Sequence, residues 1–141
     1  QRELAVVCER ARANGAIDDP VLRDRLASLQ AELSVMRSNG IRGLSAVSGG
    51  EDSAAGGGAG SIFKIVWANW HQRLGEVAMD VLGAEGLLQS PEAAAGTYEL
   101  DELQRIFLFA RADTIYGGSD EVQKNILAER VLGLPREPKG A

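Results

Sequence analysis

The residues best suited to chemistry lie in one short stretch that runs from Tyr116 to Glu121. Its Gly117-Gly118 pair lets the backbone turn sharply and approach a ligand closely, because glycine has no Cβ. Ser119 and the acids after it are typical of a helix start, where unpaired N–H groups suit an anionic group. A glycine has no side chain that could accept a proton. The stretch therefore predicts a turn that brings the backbone close to a ligand and has no proton-accepting side chain at Gly117.

Few other side chains could do chemistry. Cys8 is the only cysteine, so neither an internal disulfide nor a thiol-based zinc site can form. Its apolar neighbours predict a small, buried side chain. His71 is the only histidine, and no cysteine or carboxylate cluster stands beside it at ligand spacing. We therefore expect no metal site, and we expect His71 to lie on a helix surface.

The composition limits the class of protein. The 141 residues, of which 45% are hydrophobic and 25% charged, fit one globular domain. A net charge of −5 argues against nucleic-acid binding, which needs a basic surface. No run approaches the roughly 18 apolar residues of a membrane span, and no signal segment is recognisable. The single cysteine fits a reducing compartment, so a cytoplasmic location is expected.

The spacing of apolar residues predicts helices and no strand of useful length. Helices are expected at about 1–13, 20–44, 61–82, 101–115 and 119–132. The second helix carries the longest apolar stripe, which continues through Gly40 and Gly43, where we expect close helix packing. Ser61 is expected to cap the third helix. The predicted fold class is all-α, an antiparallel (up-down) four-helix bundle with a shorter helix at one end.

Two segments are expected to interrupt this single domain of residues 1–141. Residues 48–60 are mostly glycine, alanine and serine, which predicts a flexible surface loop. They follow a helix rather than a strand and lack a Lys-Ser/Thr ending, so they do not resemble a phosphate-binding P-loop. Residues 84–97 contain Pro91 and Gly96 and show no apolar period, which predicts a second loop.

The stretch from Tyr116 to Pro135 resembles the C-terminal signature of acyl-CoA dehydrogenases. That signature reads Tyr-(Glu or Gly)-Gly-Thr-Ser-Glu-Ile-Gln, then a basic residue, Asn-Ile, Ala-Glu-Arg and Leu-Gly-Leu-Pro. A weaker likeness, from Ala78 to Gly86, is similar to the family's Ala-x-Gln-x-x-Gly-Gly-x-Gly element. The resemblance implies the C-terminal helical domain of a longer flavoprotein. A start at Gln1, within a helical pattern and without methionine, is expected for such a fragment.

The resemblance also implies roles for individual residues. It assigns substrate binding to Tyr116, Gly117 and Gly118, and cofactor binding to Ser119, Glu121, Asp80 and Gly83. In the family, FAD takes the β-hydrogen of an acyl-CoA thioester as hydride while a carboxylate removes the α-proton. A backbone N–H at the turn helps to hold the thioester carbonyl. Asp80 replaces the family's glutamine and Ala84 a glycine, which weakens the implied contact with a neighbouring subunit's flavin.

Gly117 occupies the position where many family members carry the catalytic glutamate. One possibility is a base on an earlier helix, upstream of this chain or at Glu3 or Glu9. A second is a homologous partner subunit that carries the base. A third is that Glu85 or Asp120 has been recruited. The catalytic residue therefore stays open among these alternatives.

The implied function is that of an FAD-dependent acyl-CoA dehydrogenase, which catalyses α,β-dehydrogenation of an acyl-CoA thioester. The alternative is a non-catalytic partner subunit of a heteromeric enzyme of this kind. The family forms dimers and tetramers through this domain and passes electrons to an acceptor protein. We expect the isolated chain to be inactive, because the middle β domain of the family is absent from it.

Overall fold

A computed structural model describes residues 1–48, 53–89 and 96–136, and every regular element in these ranges is helical. The longer elements are α1 (Arg2–Ala13), α2 (Pro20–Ser48), α3 (Ser53–Leu82), α4 (Glu102–Ala110) and α5 (Asp120–Ile126). Short 3₁₀ turns cover Ala16–Asp18 and Gly83–Leu87, and a π-helical turn, Leu127–Val131, continues α5. The predicted all-α class is confirmed. No helix within the described ranges is long and apolar enough to cross a bilayer.

Local capping signals explain where two of the helices begin. Asp19 Oδ1 accepts a hydrogen bond of 2.7 Å from the Val21 N–H, and Pro20 is the first residue of α2. Asp101 and Gln104 form a reciprocal capping box at the start of α4. These are the starts that the sequence predicts for its second and fourth helices.

The central element is α3, which contacts α1, α2, α4 and α5. Its buried residues include Trp70, Leu74, Val77, Ala78 and Val81, and they pack with Leu4, Val7, Leu26, Leu29, Leu103 and Ile106 of α1, α2 and α4. Gly75 lies where α3 meets α4, and a Cβ there would be 2.8 Å from the Phe107 Cα. The missing side chain lets the two backbones touch. Packing of three helices around α3 agrees with the predicted bundle.

The beginning of α3 corrects the loop predicted at residues 48–60. Ser48 ends α2, residues 49–52 lie outside the described ranges, and the chain is helical from Ser53 onward. Ser61 is therefore a buried residue inside α3 rather than its cap. A Cβ on Gly58 would lie 2.7 Å from Val131 Cγ2. Glycine thus allows α3 to pack closely against the π-helical turn, a long-range contact that composition does not reveal.

Three further expectations differ from the structure. The second helix does run through Gly40 and Gly43, but a Cβ at either would meet no atom within 4 Å, so the predicted close packing there is wrong. The fourth helix ends at Ala110 rather than near Ile115, and residues 111–117 form turns. These turns carry Asp113, whose side chain is fully buried. Most of the predicted loop at 84–97 is a 3₁₀ turn or lies outside the described ranges.

Candidate functional site

The Gly117-Gly118 turn depends on backbone angles that favour glycine. Gly117 has φ +66° and Gly118 has φ +91°, the left-handed region that costs other residues about 1–2 kcal/mol. A Cβ on Gly118 would lie 2.7 Å from Gln123 Nε2. That amide is buried and donates a hydrogen bond of 2.9 Å to the Gly117 carbonyl. A side chain of α5 therefore holds the turn from one side.

The side of the turn at Gly117 is open. Gly117 is exposed, and a Cβ there would meet only Lys64 Cε, at 3.9 Å. Neither the Gly117 N–H nor the Gly118 N–H donates a hydrogen bond within the described part of the chain. Two adjacent N–H groups are thus available to an acceptor such as a carbonyl oxygen.

Ser119 caps α5, as the sequence predicts. Its hydroxyl oxygen accepts a hydrogen bond of 3.4 Å from the Val122 N–H. The pKa of Glu121 is lowered by a hydrogen bond from its own N–H and then by the Ser119 hydroxyl. Asp120 Oδ2 accepts a hydrogen bond of 2.7 Å from Asn69 of α3. The start of α5 is therefore tied to the middle of α3.

A buried polar network behind the turn corrects the prediction for His71. This residue is only 3% exposed, not on the helix surface, and its Nδ1 lies within hydrogen-bonding distance of Asp113 Oδ2. The other carboxylate oxygen, Oδ1, accepts a hydrogen bond of 2.6 Å from the Tyr116 hydroxyl. Lys64 donates to the Asp113 backbone carbonyl. One fully buried aspartate thus joins two residues of α3 to the first residue of the turn.

The sequence contains a signal for the burial of His71. It stands four residues after Trp67 and three before Leu74, so it shares their face of α3. The imidazole stacks against Trp67 with ring centroids 5.5 Å apart and against Trp70 at 6.3 Å. A buried histidine needs polar partners. Its main partner is 42 residues away, which is why spacing along one helix does not reveal it.

Glu3, one candidate for the missing base, lies against His71. Glu3 Oε2 is 3.0 Å from His71 Nε2, but the two atoms do not form a hydrogen bond, and Nε2 has no hydrogen-bond partner among the described residues. The pKa of Tyr116 is raised by its hydrogen bond to Asp113, by burial and by the aspartate charge. Tyr116 is therefore a protonated donor at neutral pH and cannot take the place of a glutamate base.

The remaining predicted cofactor residues lie at the other end of α3. Asp80 forms an ion pair with Arg25 at 2.6 Å, and Gly83, with φ +58°, follows the last residue of α3. At 1.5 Å per residue, Asp80 lies about 16 Å along the axis from Asn69, which contacts the start of α5. Glu85 lies beyond Gly83. Within one chain, the structure therefore separates these residues from the turn.

The comparisons with a family model and with individual proteins agree on one family. The family model for the C-terminal domain of acyl-CoA dehydrogenases matches residues 2–132. Acyl-CoA dehydrogenase IpdE1 of Mycolicibacterium smegmatis is 48% identical over 139 residues, which cover 99% of this chain and 32% of that protein. IpdE1 of Mycobacterium tuberculosis is also 48% identical, over 142 residues and with 33% of its length covered.

A solved structure gives the same result. The Tcur3481-Tcur3483 steroid ACAD superposes with a TM-score of 0.76 and 27% sequence identity, over 96% of this chain and 34% of that one. The chain spans about a third of the length of the relatives it matches. The likeness thus extends from sequence to the arrangement of the helices. The chain belongs to the acyl-CoA dehydrogenase family and corresponds to its C-terminal helical domain.

Proposed function

We propose that the protein containing this domain is an FAD-dependent acyl-CoA dehydrogenase that oxidises the α,β bond of an acyl-CoA thioester. The observation that carries the proposal is the exposed turn, in which the Gly117 and Gly118 N–H groups have no partner within the described residues. Such donors suit the thioester carbonyl, and Ser119 beside them suits a flavin oxygen. Family membership over residues 2–132 supports the same assignment.

In this proposal the turn makes the substrate's α-proton acidic. A thioester carbonyl that accepts the Gly117 N–H has its negative charge stabilised as the proton leaves. Gln123 keeps the Gly117 carbonyl oriented by its hydrogen bond of 2.9 Å. The chemistry that FAD supplies when bound is acceptance of the β-hydrogen as hydride. The base must come from outside the turn, because Gly117 has no side chain and Tyr116 holds its proton.

The residues of this chain fit FAD unevenly. The half-buried Ser119 hydroxyl and the neighbouring N–H groups are donors suited to a flavin at the turn. Asp80 is an anion, which opposes the pyrophosphate, although its ion pair with Arg25 offsets part of that charge. Since Asp80 and Gly83 lie far from the turn, we propose that they face the FAD of a second subunit. This requires a dimer or a larger assembly.

Two observations favour the second candidate function, a partner subunit in a heteromeric dehydrogenase. Gly117 removes the usual base, and Asp80 replaces a neutral residue beside the proposed second cofactor. The structural neighbour, a steroid ACAD, is named for two chains. We therefore propose a homologous partner subunit and, by the same likeness, a steroid-derived acyl-CoA as substrate. An electron-accepting protein and a cytoplasmic location complete the proposal.

The test is to produce the full-length protein alone and together with its homologous partner. Flavin content and acyl-CoA-dependent dye reduction are measured for each preparation, with a steroid-derived and a straight-chain thioester. Activity of the protein alone supports an autonomous enzyme, and activity only with the partner supports the heteromeric alternative. Absence of both flavin and dye reduction from every preparation would contradict the proposed function. The isolated 141-residue chain should show neither property.

A further inference from the structure

We infer that His71 and Asp113 are positioning residues that orient the Tyr116-Gly117 turn from inside the bundle. The inference rests on the proposed function, because it assigns their effect to the turn that binds the thioester. Neither residue is placed to touch substrate: both are buried, Asp113 completely and His71 to 3% exposure. They would act through Tyr116.

Asp113 connects α3 to the turn through three acceptors. Its Oδ2 faces His71, its Oδ1 accepts from the Tyr116 hydroxyl at 2.6 Å, and its backbone carbonyl accepts from Lys64. Its two carboxylate oxygens therefore have separate partners, one on α3 and one in the turn. Because the side chain is fully buried, water cannot replace a partner that is lost, and the orientation of the carboxylate depends on the imidazole.

The imidazole is itself held in one orientation. Trp67 and Trp70 stack against it with interplanar angles of 23° and 14°, and Glu3 lies 3.0 Å from Nε2. These contacts limit rotation of the His71 ring, so Asp113 Oδ2 has a defined partner position. Oδ1 then faces Tyr116. The fixed orientation of the His71 ring on α3 thus determines, through the Asp113 carboxylate, where the Tyr116 phenol lies at the turn.

The turn needs this support because two consecutive glycines rotate easily. Gln123 holds the Gly117 carbonyl from the α5 side, while Tyr116 is held from the α3 side through Asp113. These two contacts together hold the free N–H groups of Gly117 and Gly118 in one orientation. A donor that must meet a developing oxyanion loses much of its effect when it is displaced by about 1 Å.

The test uses the full-length protein, together with its partner subunit if flavin retention requires one. His71→Gln removes the imidazole contact of Asp113, and Tyr116→Phe removes its hydrogen bond from the phenol. The double variant lacks both contacts. Val77→Ala, a buried change in the hydrophobic core on the same helix, is the matched control for lost stability. Hydrogen exchange of a peptide covering 114–119 measures the order of the turn, and steady-state kinetics measure kcat and KM.

We expect His71→Gln to speed exchange at the turn and to lower kcat by about tenfold to hundredfold, with a smaller change in KM. The kcat of the double variant should be no lower than that of the less active single variant, because both changes break the same connection. Val77→Ala should lower the Tm alone. If His71→Gln does not fold, Tyr116→Phe gives the same comparison from an exposed side chain.

Unchanged exchange at the turn in His71→Gln and Tyr116→Phe would overturn the inference. Faster exchange with an unaltered kcat would also overturn it, because the orientation of the turn would then be irrelevant to the reaction. If the wild-type protein reduces no dye with any thioester, the proposed function fails. The exchange measurement still decides whether His71 orients the turn.

Discussion

The Tyr116 hydroxyl donates a hydrogen bond of 2.6 Å to a carboxylate oxygen of Asp113, a side chain with no exposed surface. A phenol at the edge of the candidate site is thereby tied to the interior of the bundle. The bond keeps the phenol protonated, since an ionised Tyr116 would place a second negative charge beside the aspartate. Tyr116 thus serves the turn as an anchor rather than as a base.

The first prediction concerns the ionisation of Tyr116. Its pKa is raised from 10.0, chiefly by the hydrogen bond to Asp113. Stability from this bond is therefore fully present below pH 10 and is lost as the pH rises through the raised pKa. Tyrosinate absorbance of the chain, with Tyr116→Phe subtracted, should show a midpoint above 10. Asp113→Asn should lower that midpoint, and an identical midpoint in this variant would contradict the assignment.

The second prediction separates the two glycines of the turn. Gly117→Ala should destabilise the domain by about 1–2 kcal/mol through its positive φ alone, because a Cβ meets only Lys64 Cε at 3.9 Å. Gly118→Ala should cost at least about 1 kcal/mol more, since its Cβ would displace Gln123 Nε2 and break the bond to the Gly117 carbonyl. Urea unfolding of both variants measures this, and equal losses would be the contrary result.

The third prediction concerns the cap of α5. Ser119→Ala should lower stability at pH 7 by about 0.5–1 kcal/mol, from the lost acceptor for the Val122 N–H. Ser119→Thr, which keeps the hydroxyl, should lose less. The pKa of Glu121 is lowered below 4.5 by a hydrogen bond from its own backbone N–H and then by the Ser119 hydroxyl. The Ser119 part of this contribution is therefore present above pH 4.5 and disappears as the pH falls through the lowered pKa. Thermal unfolding at pH 7 and pH 3 should show a smaller difference between wild type and Ser119→Ala in acid. A constant difference would rule out a role for Glu121.

The fourth prediction compares two glycines inside helices. Gly75→Ala should destabilise the domain by about 1–3 kcal/mol, because its Cβ would lie 2.8 Å from the Phe107 Cα and force α3 and α4 apart. Gly40→Ala should stabilise it by about 0.4–1 kcal/mol, since α2 has open space there. The two changes are chemically identical, so opposite shifts in Tm test the helix contact directly. Stabilisation by Gly75→Ala would show that the contact is looser than described.

The fifth prediction addresses the second cofactor contact. Asp80→Asn removes a negative charge and frees Arg25 from its ion pair of 2.6 Å with Asp80. If this end of α3 faces the pyrophosphate of a second subunit, the Kd for FAD of the full-length assembly should fall by about fivefold, the effect of roughly 1 kcal/mol. Glu76→Gln, which neutralises an acid one turn earlier on α3, is the control and should leave FAD affinity unchanged. Equal affinities for wild type and Asp80→Asn would argue against a cofactor at this position.

Features that depend on neighbouring residues could be predicted from the sequence. The caps at Asp19 and Asp101 and the turn at Gly117 arise from interactions over a few residues, or from φ values that only glycine adopts easily. The motif that begins at Tyr116 also indicates the family, because its residues are contiguous in the sequence. None of these features requires knowledge of which helix packs against which.

Two of the predictions that were wrong involve residues far apart in the chain. Gly58 lies in α3 and packs against Val131, and the buried His71 has Asp113, 42 residues later, as its polar partner. The sequence by itself determined the helical class, the turn and the absence of a side chain at Gly117, since these follow from local propensity and residue type. Only the tertiary structure decided what holds the turn and what lies far from it, because packing pairs residues without regard to their separation in sequence.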